Sequence, residues 1–173
     1  MASPQILFDG PADAPLPVAL AHGAGAPMDS PFMAAFAEGL AAEGFRAARF
    51  EFPYMVRRRE TGTRKPPDRG PVLLDTWSAV IRDLCPENLV IGGKSMGGRM
   101  ASIIADEAGV RGLVCLGYPF HGPGKPMNPD RVRHLETLGT AALFCQGTRD
   151  SLGSAEDVAG YTLSPVIEFN WLE

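Results

Sequence analysis

Apolar positions along this chain fall into two alternating kinds of block. Short, nearly continuous runs read as buried strands: Pro17-Val18-Ala19-Leu20-Ala21, Asn88-Leu89-Val90-Ile91, Arg111 to Gly117, and Ala141 to Cys145. Three further strands are expected at Ile6-Leu7-Phe8, within Phe45 to Phe52, and at Val166 to Trp171. Between them the spacing becomes helical. Phe32, Phe36 and Leu40 recur every four residues behind a cap at Asp29 or Ser30 and a proline at 31, and they predict one apolar helix face. Leu73, Trp77, Val80, Ile81 and Leu84 predict a helix from Pro71 that Pro86 ends, and Ala101, Ile103 and Ile104 predict another. Shorter helices are expected behind Asp130, through Val132, Leu135 and Leu138, and around Ala155 to Tyr161.

Residues 54 to 70 show no period and carry Arg57, Arg58, Arg59, Arg64, Lys65 and Arg69, which reads as a long loop. It is either a lid or anion-steering rim over a pocket, or a solvated mobile segment. Strands alternating with helices at this rhythm predict an α/β fold: a three-layer sandwich with a mostly parallel central sheet flanked by helices. In such sheets ligands bind beyond the carboxyl ends of the strands. His22, Ser95, His121 and Asp150 each follow such an end.

A length of 173 residues with 45% hydrophobic content fits one domain spanning 1–173. A net charge of −4 gives no push toward nucleic acid or an anionic membrane, and no run approaches the roughly 18 apolar residues of a membrane helix. The start, Met1-Ala2-Ser3-Pro4-Gln5, lacks a secretory pattern. Cys85, Cys115 and Cys145 are odd in number and read as reduced residues of a cytoplasmic protein. With no C-x-x-C and three scattered histidines, no metal site or cofactor is expected.

The chemistry concentrates in Gly92-Gly93-Lys94-Ser95-Met96-Gly97-Gly98, directly after an apolar run. Gly93 to Gly97 spells G-x-S-x-G, the pattern of a sharp strand-to-helix turn that lifts a serine clear of a sheet. A phosphate-binding loop would need glycine at 88, where Asn88 stands, and a plain glycine turn packing helix on sheet is the other alternative. The strand–turn–helix context favours the nucleophile.

With this elbow, the His22-Gly23-Ala24-Gly25 turn and Asp150 in place, the chain resembles the α/β-hydrolase superfamily. The segments from His22 to Met28 and from Gly92 to Arg99 are most similar to a small dienelactone-hydrolase-like branch related to the Tex30 and KANSL3 proteins. The resemblance implies a serine hydrolase acting on a small carboxylic ester, lactone or related acyl substrate through an acyl-enzyme. It implies Ser95 as nucleophile, Asp150 as the acid that orients a histidine, and the N–H groups of Ala24 and Met96 as the oxyanion hole. The alternatives are that Asp150 is a helix-capping or surface aspartate and the His22 turn an ordinary connection, and the elbow favours the acid.

The family order is serine, acid, histidine, and no histidine follows Asp150. The family places that histidine after the last strand, with a further helix. The expectation is therefore a C-terminally truncated domain whose base lies in a missing tail. His121 is the spatially plausible substitute or a pocket wall, His22 a locally bonded turn residue that could also line the pocket, and His134 solvated surface. The alternative function is a non-catalytic member of the fold that binds a ligand or protein partner through the same cleft.

Overall fold

The computed structural model describes residues 4–173. Seven strands form one sheet: β1 (Ile6–Asp9), β2 (Pro17–Ala21), β3 (Arg46–Phe50), β4 (Val90–Lys94), β5 (Gly112–Leu116), β6 (Ala142–Gly147) and β7 (Ile167–Leu172). Their spatial order is β1-β3-β2-β4-β5-β6-β7. Only β1 runs antiparallel, against β3, and every other pair is parallel. The helices are α1 (Pro31–Ala42), α2 (Pro53–Thr61), α3 (Gly70–Leu84), α4 (Met96–Ala108), α5 (Pro129–Val132) and α6 (Ala155–Ala159).

The parity of each strand divides the core in two. Ala19, Ala21, Ala48, Phe50, Ile91, Leu113 and Cys115 face α3 and α4, in the larger cluster that contains Trp77, Met100 and Ala105. Val18 and Leu20 face the other way, onto Met33 of α1. Trp77 stands edge-on to Phe50 at 4.7 Å between ring centroids, a favoured geometry for buried aromatics.

The coverage is uneven. In β6, Ala142, Phe144 and Gln146 are buried while Leu143 between them is 43% exposed. A shallow trough of about 320 Å³ runs over Val90, Val114, Leu143, Val166 and Glu168 on the α1 side of the sheet. The strand runs at β4 to β7 are therefore buried on one face more fully than on the other.

Four local expectations change. Residues 53–61 form helix α2 rather than loop. Only Tyr54 and Met55 of its first turn are buried, so no apolar period reaches its arginine-rich end, and Gly62 stops it in a left-handed conformation. Asp68 caps this helix from a distance, accepting from the Tyr54 N–H at 2.7 Å and pairing with Arg57.

On α1 the buried residues are Met33 and Ala37, whereas Phe32 and Phe36 lie at its exposed margin against each other. An aromatic pair every four residues mimics a core stripe, but the close fit to Val18 and Leu20 takes the smaller residues. Asp130 lies inside α5 and pairs with Arg133, while Asn128 occupies the cap.

His134 is half-buried, not solvated surface. Its Nε2 lies 2.8 Å from the Ser102 hydroxyl and 3.4 Å from that of Tyr118. Burial, then the charge of Arg99, push its pKa down to about 4. The unfolded chain, with an ordinary histidine, takes up this proton first. Stability contributed by the neutral ring is thus complete above about pH 6.5 and lost as pH falls toward about 4, by up to about 3 kcal/mol. The expected outcome is that wild-type stability to urea falls more steeply across that window than that of His134→Gln; parallel pH profiles would contradict it.

Candidate active site

Ser95 joins β4 to α4 with φ 49° and ψ −115°. Few L-residues adopt such a backbone, and it costs about 1–3 kcal/mol wherever surrounding structure enforces it. Here the enforcement is close packing. A Cβ on Gly93 would lie 2.1 Å from the Ala21 carbonyl oxygen. One on Gly97 would lie 2.5 Å from that oxygen and 2.6 Å from the His22 oxygen. The Ser95 N–H donates to the Leu116 carbonyl at 2.9 Å, which fixes the turn to β5 as well. Ser95 therefore stands at the N-terminus of a 13-residue helix, where partial positive charge and unpaired N–H groups collect.

Opposite Ser95, the Gly23–Ala26 turn is held entirely by its carbonyl oxygens. The His22 ring nitrogen Nδ1 donates to the Gly23 oxygen at 2.7 Å. The Tyr54 hydroxyl is 3.1 Å from the Ala24 oxygen and 3.3 Å from that of Gly23. Arg58 donates to the Gly25 oxygen at 2.9 Å. In a trans peptide the N–H points opposite to the C=O of the same plane. Pinning the Gly23 carbonyl inward thus turns the Ala24 N–H outward, and neither it nor the Met96 N–H donates to an acceptor among the described residues.

A cleft of about 260 Å³ lies between these two turns, lined by Gly23 to Ala26, Ser30, Met33, Lys94 and Ser95. The Lys94 ammonium is drawn over the Phe32 ring at 4.0 Å, at the rim.

His22 is fully buried and committed. Its Nε2 accepts the Phe52 N–H at 3.2 Å, so the proton sits on Nδ1 and the ring is neutral; burial pushes its pKa below the usual histidine range. Tyr54 keeps its proton because burial raises its pKa. Behind them, Glu51 accepts from the Met28 N–H at 3.2 Å and is clamped by Arg59, which also pairs with Asp29. Arg57, Arg58 and Arg59 therefore have local partners, while Arg64, Lys65 and Arg69 are exposed.

Asp150 follows β6. Its Oδ1 accepts the Leu152 N–H at 2.8 Å and its Oδ2 lies 3.3 Å from Gln146 Nε2. Oδ2 also stands 3.5 Å from where a Cβ on Gly117 would be, one residue beyond the Leu116 that anchors Ser95. The acid and the serine thus flank the same end of β5. Gln146 makes this junction: buried, it accepts the Tyr118 N–H at 2.7 Å and donates to the Tyr118 and Gly153 oxygens.

His121 turns elsewhere, with Nδ1 against the Gly122 oxygen at 2.9 Å and Nε2 3.4 Å from Asp157. No histidine is hydrogen-bonded to Ser95 among the described residues. Nor do histidine, cysteine and carboxylate side chains cluster there as a metal site would need, or any helix run long and apolar enough to cross a membrane.

Sequence reasoning missed Tyr54, Glu51 and Gln146. The only signal was a polar residue ending an apolar strand, as Glu51 and Gln146 do.

A family model described as alpha/beta hydrolase domain matches residues 15–173. Among solved structures, the chain is similar to an alpha-beta serine hydrolase homologue from Coxiella burnetii, with TM-score 0.75 and 19% identity over 96% of this chain and 80% of that one. It is also similar to a monoacylglycerol lipase from Paleococcus ferrophilus, with TM-score 0.73 and 15% identity over 99% and 89% of the two chains. A third, an a/b serine hydrolase without lid from Xanthomonas campestris, gives TM-score 0.66 and 21% identity over 96% and 77%.

The packing at the elbow is testable without any substrate. Gly97→Ala will cost about 3 kcal/mol or more in urea denaturation, since backbone atoms cannot yield as a side chain tip can. Gly25→Ala, where nothing lies within 4 Å, will stay within about 0.5 kcal/mol of wild type.

Proposed function

Because the chain belongs to the alpha/beta hydrolase domain family, we propose that it is a serine hydrolase cleaving a small carboxylic ester, lactone or related acyl substrate, as in a dienelactone-hydrolase-like enzyme. The observation that carries this reading is the strained Ser95 backbone at the α4 N-terminus, with the free N–H of Met96 beside it and the Gly23–Ala26 turn, whose Ala24 N–H is also free, across the cleft. A lipase among the structural neighbours is consistent with acyl chemistry.

Ser95 Oγ attacks the substrate carbonyl carbon and passes its proton to a base. The carbonyl oxygen becomes an oxyanion held by the Ala24 and Met96 N–H groups, donors that need no reorganisation. Collapse breaks the bond to the leaving oxygen, which takes the proton, and water then releases the acid from Ser95 by the same steps. No cofactor is required.

A serine hydroxyl is a weak nucleophile unless a base activates it. His22 and His121 are engaged elsewhere, and His134 is bonded to Ser102. The base in this proposal is therefore a histidine other than these three, oriented by Asp150. The protein is read as cytoplasmic.

Incubation with a fluorophosphonate probe followed by intact-mass measurement tests the reading on the natural gene product. One adduct that Ser95→Ala abolishes is expected, with ester turnover falling by about 10³ or more in that variant. Tyr54→Phe, which frees the Ala24 carbonyl, will slow labelling about tenfold. Absence of any adduct on a folded natural product favours instead a non-catalytic protein that binds a ligand or partner in the same cleft. The observation behind that second reading is that no histidine among the described residues is bonded to Ser95.

A further inference from the structure

The cleft beside Ser95 encloses about 260 Å³, less than the roughly 300–1,000 Å³ of pockets that take in a whole small-molecule ligand. It has room for the reacting carbonyl and a short acyl group, so any larger ester continues over the rim. On the α1 side that rim is built from rings. Ser30 and Met33 line the cleft, and Phe32 between them turns outward to meet Lys94, another lining residue, whose ammonium lies 4.0 Å from the ring centroid. Phe36, one turn further along α1, stands 4.9 Å from Phe32 with the ring planes 34° apart. The cleft thus runs on through Lys94 into an aromatic ledge.

Neither ring serves the core. Phe32 is 37% and Phe36 38% exposed, while Met33 and Ala37 of the same helix are fully buried. Such a pair steadies a helix only slightly, and rings left in water forgo much of the burial that makes aromatic residues stabilising elsewhere in a fold. Lys94 is equally uncommitted. No carboxylate pairs with it among the described residues, none of them lines the cleft, and Asp29, next to Ser30, is taken by Arg59. Its partner is the Phe32 face, which holds a flexible side chain at the rim.

These groups select the chemistry of what lies on them. An alkyl chain laid over the rim strips water from the ammonium and offers nothing in return. An arene offers two interactions. Its face attracts the ammonium, whose three N–H groups cannot all face Phe32, and its edge or offset face packs against the neighbouring rings. We propose that Lys94 and Phe32, braced by Phe36, form an aryl subsite at the mouth of the cleft, so that the ester taken by Ser95 carries a planar aromatic group where it leaves the cleft. Only the arene's being part of a cleaved ester rests on the serine hydrolase reading; its binding does not depend on turnover.

Benzyl acetate and cyclohexylmethyl acetate are close in size, share a primary leaving oxygen and differ in the ring. The cyclohexyl ester is the more apolar, so burial alone makes it the tighter ligand. Saturation-transfer NMR titrations on Ser95→Ala measure binding without cleavage. Benzyl acetate is expected to bind about fivefold more tightly than its cyclohexyl counterpart. In the Ser95→Ala background, Phe32→Leu and Lys94→Met will each bring that ratio to about one or below, while Phe32→Tyr, which keeps a ring, will preserve it. On the natural gene product with Ser95 intact, the kcat/KM ratio of the two esters will follow the same order among the variants.

Equal affinities, a tighter cyclohexyl ester, or no binding of either ester to the Ser95→Ala protein overturns the proposal. So does a benzyl preference that survives both Phe32→Leu and Lys94→Met, since the arene would then lie elsewhere. Parallel loss of both esters in Phe32→Leu overturns it too, because the ring would then be a plain apolar or structural wall. A benzyl preference without probe labelling of Ser95 leaves the subsite standing and removes only the hydrolase.

Discussion

The structure depends on one close approach, the N-terminus of α4 against the carboxyl ends of β2 and β4. Helix backbone and strand backbone meet there with no side chain between them, since a Cβ at Gly93 or Gly97 would overlap the Ala21 oxygen. That contact leaves Ser95 no room to relax from φ 49° and ψ −115°. It also fixes where the free N–H groups of the first helical turn are aimed. The same approach presses Gly97 on the His22 carbonyl, so β2 and its following turn cannot move independently of the elbow. Strain at Ser95 persists because several independent contacts hold it, and relaxing it would separate α4 from the sheet.

A second layer of order follows from where donors are spent. The polar groups around residues 23–26 deliver hydrogen bonds only to carbonyl oxygens: His22 and Tyr54 to Gly23, Tyr54 to Ala24, Arg58 to Gly25. A histidine directly before the turn that lines the cleft invites the idea of a catalytic base, but His22 is fully buried and does not line the cleft. Its ring instead acts as a rigid spacer, receiving the Phe52 N–H on one nitrogen and fixing Gly23 with the other. Burial lowers its pKa and keeps the ring neutral, and these two hydrogen bonds fix the tautomer. The arginines of α2 serve the same end, because Arg59 clamps the Glu51 that holds the Met28 N–H. Residues that resemble a lid in the sequence thus brace one wall of the cleft.

Strand positions were legible because parallel strands are written as local apolar runs, and the elbow because G-x-S-x-G follows one of them. Helix faces were less so. Phe32 and Phe36 have the period of a core stripe yet lie at its margin, since the sheet beneath α1 accepts Met33 and Ala37 more closely. Helix α2 escaped notice because its stability comes from Asp68 and Glu51, partners distant in sequence, and not from any pattern within it. His134 was misplaced for a similar reason: its neighbours Ser102 and Tyr118 come from α4 and the turn after β5. Local spacing carries information about what a segment buries along its own axis. It carries none about which distant side chain will meet it.

Charge around Ser95 is arranged asymmetrically. On the β2 side stand unpaired N–H donors and the positive end of α4, and no carboxylate lines the cleft among the described residues. On the β6 side stands Asp150, kept in place by the Leu152 N–H and by Gln146. An acyl transfer at Ser95 moves a proton away from the serine and negative charge onto the carbonyl oxygen. A field running from Asp150 toward the N–H groups favours both displacements, since each brings charge nearer its opposite. Had Asp150 lain beside the Gly23–Ala26 turn, it would raise the energy of any oxyanion formed there. Gln146 therefore matters to the chemistry proposed here as a positioning residue. By tying Tyr118 and Gly153 into one junction, it keeps Asp150 on the far side of β5 from the Ala24 and Met96 N–H groups.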